Sequence, residues 1–231
     1  MSEITTWLQS FDPISLEEMD AVALLNRTDS KFVFSFDNLQ TVLNDIAGKG
    51  YRVLEIMGKI SNAYRTVYFD TPELKFYHQH QNGKTNRIKV SCRKYVDSGL
   101  CFLEKKFKNN KGRTIKTRMR VDDFVTEITP EHRQKLGIDP ELNLIETQWN
   151  SFTRITLVNH GIKERITIDV GLNFELGGKS EELSNTVICE VKQDGVNHFS
   201  PMIRALKNSH IRPMRISKYC IGTVLLRDDV K

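Results

Sequence analysis

Apolar and polar residues alternate along much of the chain, most densely from Asn86 to Val121, NRIKVSCRKYVDSGLCFLEKKFKNNKGRTIKTRMRV. Successive side chains of a strand point to opposite faces, so a period of two predicts strands with one apolar and one polar face. Ile88, Val90, Leu103 and Phe107 fall on one side. Arg87, Lys89 and Arg93, then Lys106 and Lys108, then Lys116, Arg118 and Arg120 fall on the other. Along one face such side chains repeat at roughly 7 Å. Asp97-Ser98-Gly99 and Asn109-Asn110-Lys111-Gly112 supply the turns between these strands.

The same alternation predicts strands over Asn26 to Phe36, Tyr51 to Ile56, Asn62 to Asp70, Leu144 to Val158, Glu164 to Phe174 and Thr186 to Gln193. Helical spacing appears at Ile4 to Phe11 and at Ser15 to Leu25, where Ser15 and Glu18 read as a cap. It recurs from Asp37, with Leu39, Val42, Leu43 and Ile46 on one side and Gly48 as the stop. A short turn in ELKFYHQH, a helix from Thr129-Pro130 to Leu136-Gly137, and helices at Phe199 to Ser209 and Ser217 to Leu226 complete the pattern. The predicted class is α+β: an antiparallel sheet of roughly eight strands, closed into a barrel that leaves no edge exposed, with flanking helices.

Composition changes this picture little. The chain has 231 residues, 39% hydrophobic and 27% charged, as expected of one folded domain. We divide it into a helical segment over 1–25 and a main domain over 26–231. A formal charge of +5 favours anionic partners without choosing among nucleic acid, nucleotide, phosphate chains and anionic lipid. The N-terminus lacks a secretion signal and no apolar stretch is long enough to span a bilayer. Cys92, Cys101, Cys189 and Cys220 form no metal-ligand pair and read as free thiols in a reducing compartment. A cytoplasmic protein is expected, peripheral at a membrane only through a separate membrane protein partner.

The alternating cations have two readings. One is a solvated outer sheet face; the other is a lumen for a polyanion. Like charges on adjacent strands repel, and more so at lowered dielectric unless an anion is present. Arg matches phosphate oxygens with a bidentate fork and Lys supplies a compact charge, so phosphoryl recognition suits the set. Glu104, Asp169 and Glu190 share these strands. Glu190 is the candidate metal ligand, or else an ion-pair partner of Lys192 or a neighbouring Arg. Asp169 can instead hold Arg165 or Arg154 in position. No Walker loop, Rossmann fingerprint or Ser-His-Asp signature occurs, and His78 with His80 falls short of a zinc site.

The ordered series NRTDSKFVF, RIKVSCRKY, FLEKKFK, GRTIKTRMR, FTRITL, ERITID, ICEVK and ISKYCIG resembles the VTC domain, the polyphosphate-polymerase branch of the triphosphate tunnel metalloenzymes, from about Asn26 to Gly222. The resemblance implies an eight-stranded antiparallel β-barrel around a basic tunnel that binds a nucleoside triphosphate with manganese or magnesium. It implies transfer of the terminal phosphate of ATP onto an inorganic polyphosphate chain, with release of ADP. On this resemblance Arg93, Lys106, Lys116, Arg154 and Arg165 are catalytic. Arg27, Lys31, Arg87, Lys89, Arg118, Lys192, Arg215, Ser217 and Lys218 bind substrate, and Glu190 holds the metal. Phe152 stands where the family often has tyrosine, Ser91 where it has the first arginine of an Arg-x-Arg pair, and Asn26 where an acid is common.

With these departures, the resemblance supports the tunnel more firmly than it supports polymerisation. Alternatives are an inorganic or nucleoside triphosphatase and a non-enzymatic polyphosphate-binding module. RNA binding is disfavoured, because Phe32, Phe34, Phe107 and Phe174 read as core rather than as exposed stacking platforms.

Overall fold

The structure, a computed structural model, describes residues 2–20, 27–195 and 197–230, with only the backbone of Ser2, Asp20 and Arg27. In chain order the elements begin with α1 (Ser2–Trp7), β1 (Pro13–Ile14), α2 (Leu16–Asp20), β2 (Arg27–Ser35), α3 (Leu39–Ile46) and β3 (Arg52–Leu54). Next come β4 (Asn62–Asp70), α4 (Lys75–Gln81), β5 (Arg87–Tyr95), β6 (Leu100–Lys108), β7 (Thr114–Val121) and α5 (Pro130–Leu136). The chain ends with β8 (Ile145–Asn159), β9 (Glu164–Leu176), β10 (Lys179–Leu183), β11 (Thr186–Asp194), α6 (Pro201–Asn208) and α7 (Lys218–Leu226).

Local chemistry accounts for the helix starts. The Glu18 N–H donates to Ser15 Oγ at 3.2 Å, and the Ser15 N–H donates back to Glu18 Oε2 at 2.9 Å. This reciprocal cap opens α2; the rest of the helix expected up to Leu25 lies outside the described residues. Thr129 and His132 cap α5 in the same way, Pro130 begins it, and Gly137 in the left-handed region ends it.

The strands run β2-β11-β9-β8-β4-β5-β6-β7, with β1, β3 and β10 attached off this path. Along this path β2–β11, β11–β9, β4–β5, β5–β6 and β6–β7 pair antiparallel. The expected barrel is not formed. Among the described residues no pairing joins β7 back to β2, so the sheet is open. Two local features account for this. The outer edge of β2 is occupied by the chain after α6: the Met214 N–H donates to Lys31 C=O at 2.8 Å, and Pro213 bridges Phe32. At the other end β7 carries exposed Lys116, Arg118 and Arg120. Alternation had reported which face each residue takes; it carries no information on whether the end strands meet.

Two compact units divide the chain. The first comprises Met1–Ala63, Phe152–Leu172 and Leu183–Arg215. Its core lies on one face of β2, β11 and β9, where Phe32, Phe34, Val187, Cys189, Val191, Ile166 and Ile168 pack with Leu39, Val42 and Leu43 of α3 and Met202 and Leu206 of α6. The second comprises Tyr64–Ser151, Asn173–Glu182 and Ile216–Lys231. There Val67, Phe69, Val90, Cys92, Cys101 and Leu103 pack with Leu136 of α5. Each large apolar side chain so buried contributes about 1.5–3 kcal/mol. A one-residue slip of any of these strands would drive charged side chains into the core, so the register of the polar faces is fixed by the apolar ones.

Candidate functional site

In the first unit, the polar face of the sheet is laid out by register. Lys31 of β2, Glu190 of β11 and Thr167 of β9 form one row, and Asp29, Lys192 and Arg165 form the next. Ile188 lies opposite Asp169 beyond them. Arg154 of β8 grips Asp169 with two bonds, Nε to Oδ1 at 2.6 Å and Nη2 to Oδ2 at 2.7 Å, and its guanidinium lies 5.2 Å over the Phe152 ring. Asp169 thus holds Arg154 in place, and Arg165 Nη2 donates to Met19 C=O at 3.1 Å.

Lys192 pairs with Glu190 at 2.6 Å and reaches Thr167 Oγ1 at 3.5 Å. Burial pushes the Glu190 carboxyl up, but Lys192 and then Lys31 outweigh it and hold the acid down to about 2. Of the two readings of Glu190, the structure shows the ion pair.

A second set of cations lies in the other unit, on the polar face of β5, β6 and β7. Lys89 sits directly opposite Lys106, and Lys106 opposite Lys116. The next row is Ser91, Glu104 and Arg118, and the one after it Arg93, Phe102 and Arg120. Arg87 occupies the near end of β5, where its Nη1 donates to Lys84 C=O. Glu104 is completely buried and is the one carboxylate in these three rows. It pairs with Lys116 and lies 3.6 Å from Lys106. Burial pushes its carboxyl up, yet Lys106, Lys116 and Arg93 together hold it below the usual range.

Neighbours fix the individual cations. Arg93 Nε donates to Thr66 Oγ1 at 3.2 Å, Lys89 lies 5.5 Å over the Tyr68 ring, and Arg118 lies 4.8 Å over Phe102. Tyr68 in turn packs on Tyr219 of α7, with ring centroids 5.2 Å apart. Helix α7 starts at Lys218 after Ser217, a buried residue whose Oγ makes no capping bond. The Ser217 side chain therefore does not cap the first N–H groups of α7.

The predicted residues thus fall into two groups, each coherent within its own unit. Lys31, Arg154, Arg165, Glu190 and Lys192 belong to the first; Arg87, Lys89, Arg93, Lys106, Lys116, Arg118, Ser217 and Lys218 belong to the second. Arg215 and Arg212 are exposed after α6, and the Arg27 side chain lies outside the described residues. Sequence reasoning missed Thr66 and Tyr68, which position Arg93 and Lys89; their alternation with Val67 and Phe69 was the available signal. It also missed Asp70, a buried acid before Thr71-Pro72 that accepts the N–H groups of Phe76 and Tyr77 and so caps α4.

The expected manganese or magnesium site is overturned. Among the described residues no group of three or more His, Cys, Asp or Glu side chains could hold a metal ion. Glu190, Glu104 and Asp169 are each engaged by a fixed cation instead. All four cysteines are buried free thiols, with Cys92 Sγ 3.5 Å from Cys101 Sγ. No helix among the described residues is long and apolar enough to cross a membrane.

The VTC domain family matches residues 26–227. Among solved structures, the candidate adenylyl cyclase HpAC1 from Hippeastrum, which reveals a dominant triphosphatase activity, aligns at 13% identity and a TM-score of 0.54, covering 85% of this chain and 94% of its own. The PH1012 protein from Pyrococcus horikoshii OT3 aligns at 12% identity and a TM-score of 0.41, covering 79% and 88%. No curated protein matches the sequence.

Proposed function

Because the chain belongs to the VTC domain family, within the triphosphate tunnel superfamily, we propose that it is an enzyme that acts on triphosphate-containing substrates and cleaves the terminal phosphoanhydride. The observation that carries this reading is the face of β5, β6 and β7, where Lys89, Arg93, Lys106, Lys116 and Arg118 surround the single carboxylate of Glu104. Two like charges about 6 Å apart repel by about 3 kcal/mol at an effective dielectric of 20. One acid cannot offset five cations, so the face is built to be completed by an anion carrying several charges. A triphosphate or longer phosphate chain meets that need along rows spaced as phosphates can follow.

In hydrolysis, the cations orient the chain and take up charge as it shifts to the leaving oxygen, so the protein contributes positioning and electrostatics. Water adds its oxygen to the terminal phosphorus, the bridging P–O bond breaks, and inorganic triphosphate yields diphosphate and orthophosphate. Family membership favours a second reading, in which the end of a polyphosphate chain replaces water as the acceptor.

Incubation with inorganic triphosphate and with ATP, followed by measurement of orthophosphate, ADP and chain length, tests both. Release of orthophosphate without chain growth is expected. Chain growth with ADP and no free orthophosphate selects the second reading. Neither product from either substrate overturns the assignment as an enzyme.

A further inference from the structure

Strand β7 pairs with β6 on one side, and among the described residues no strand joins its other side. Successive residues of a strand turn their main-chain N–H and C=O groups to alternate sides, so every second residue of β7 offers both groups to an incoming strand. The side chains along this edge also alternate. Lys116, Arg118 and Arg120 are exposed on the polar face, and Thr114–Val121 contains no acid. On the other face Ile115 stands opposite Phe107 of β6, which stands opposite Ile88 of β5. Phe107 and Ile88 are half-buried, and Ile115 keeps 55% of its surface exposed. The apolar row thus runs out to the edge and stops uncovered.

We propose that the outer edge of β7 docks an extended acidic segment of another protein as an added strand, with carboxylates at every second position and aliphatic residues between them. Main-chain hydrogen bonds hold such a strand, and the alternating side chains select it. Residues directly opposite on paired strands lie about 4.5–5.5 Å apart, close enough for unlike charges to attract and like charges to repel. Carboxylates on the polar face therefore meet Lys116, Arg118 and Arg120. Aliphatic side chains on the other face extend the Ile88–Phe107–Ile115 row by one strand and cover Ile115. A second copy of β7 would set cation against cation. A nucleic acid or phosphate chain satisfies the cations but has neither the alternating N–H and C=O groups nor the side chains to cover Ile115.

The probe is a labelled, end-blocked peptide as long as β7, in which glutamate alternates with valine and threonine. Fluorescence anisotropy with the full chain compares it with two peptides of equal charge. One has the same composition with its glutamates consecutive; the other is N-methylated at its four central residues. In either phase two of those four N–H groups face β7, so N-methylation should weaken binding by at least about tenfold. The consecutive-glutamate peptide should also bind more weakly. Hydrogen exchange read by NMR should slow at every second amide of Thr114–Val121 when the alternating peptide binds. Ile115→Glu, which sets a carboxylate among the incoming aliphatic side chains, should weaken that peptide several-fold at an unchanged melting temperature. If this variant does not fold, the peptide comparison and the exchange pattern decide on the wild-type chain. Equal binding of the three peptides shows charge attraction alone and overturns the proposal, as does binding without alternate protection or no binding at all. Every arm is read without a phosphate substrate, so each outcome is separate from the proposed hydrolysis.

Discussion

Tyr219 donates its phenol to Asp70 Oδ2 at 2.5 Å, and the same carboxylate accepts the N–H groups of Thr71, Phe76 and Tyr77. Burial first, and then the Asp70 charge, push the Tyr219 phenol above its usual range, so it remains a donor. One acid at the end of β4 therefore fastens both α4 and the start of α7. A hydrogen bond to a charged acceptor contributes about 1.5–3 kcal/mol. Tyr219→Phe should lower the melting temperature by about 4–8 °C, and Asp70→Ala by more, because it also uncaps α4. Calorimetric melting of the two variants checks the order; an Asp70→Ala variant as stable as wild type would remove this role.

Helix α7 passes so close to the strands that Gly222 admits no side chain. A Cβ there would lie 2.5 Å from both Gln148 Oε1 and Phe174 Cδ1. Gln148 is held in place by donating to Tyr219 C=O at 2.7 Å, so it has little freedom to move aside. Gly222→Ala should cost about 1–3 kcal/mol despite the helix-favouring substitution, read as a lower denaturant midpoint with unchanged slope.

Acid should reveal the Glu190–Lys192 pair. The Glu190 carboxyl falls from an ordinary 4.5 to about 2 in the folded chain. Its folded value is depressed, so its contribution is complete above the ordinary carboxylate range and disappears as the pH drops toward 2. The contribution is at most about 3 kcal/mol. Stability measured across that acid window should decline less steeply in Glu190→Gln than in wild type, and parallel curves would contradict the pairing.

Fixed cations should suffice for anion binding. Inorganic triphosphate is expected to bind in the presence of a strong chelator, to weaken as salt is raised, and to lose about 10–100-fold in affinity on Arg93→Ala. Titration with and without chelator reads this directly; binding that vanishes with chelation would show that these side chains do not hold the anion by themselves.

Period-two alternation made the polar faces legible because burial of Val90, Cys92 and Leu103 on one side of β5 and β6 forces Lys89, Arg93 and Lys106 to the other. The capping pairs Ser15–Glu18 and Thr129–His132 are local, and the start of each helix they govern was readable within a few residues. The Asp169–Arg154 grip and the Glu104–Lys116 pair depend on which strands neighbour one another, which spacing along one strand leaves open. The barrel failed for a related reason: the Pro213–Met214 segment that covers β2 lies nearly two hundred residues further along the chain and resembles an ordinary loop. The metal site failed because the sequence shows carboxylates but not the cations already bonded to them.

The two ends of the sheet are protected by different physics, and this gives the protein a lopsided weakness toward self-association. Proline has no N–H to offer an incoming strand, so the β2 side resists fibre-like stacking in any buffer. The β7 side relies on mutual repulsion between copies, which dissolved ions mask. Concentrated salt should therefore promote aggregation that begins at β7, and dilute salt should keep the protein dispersed.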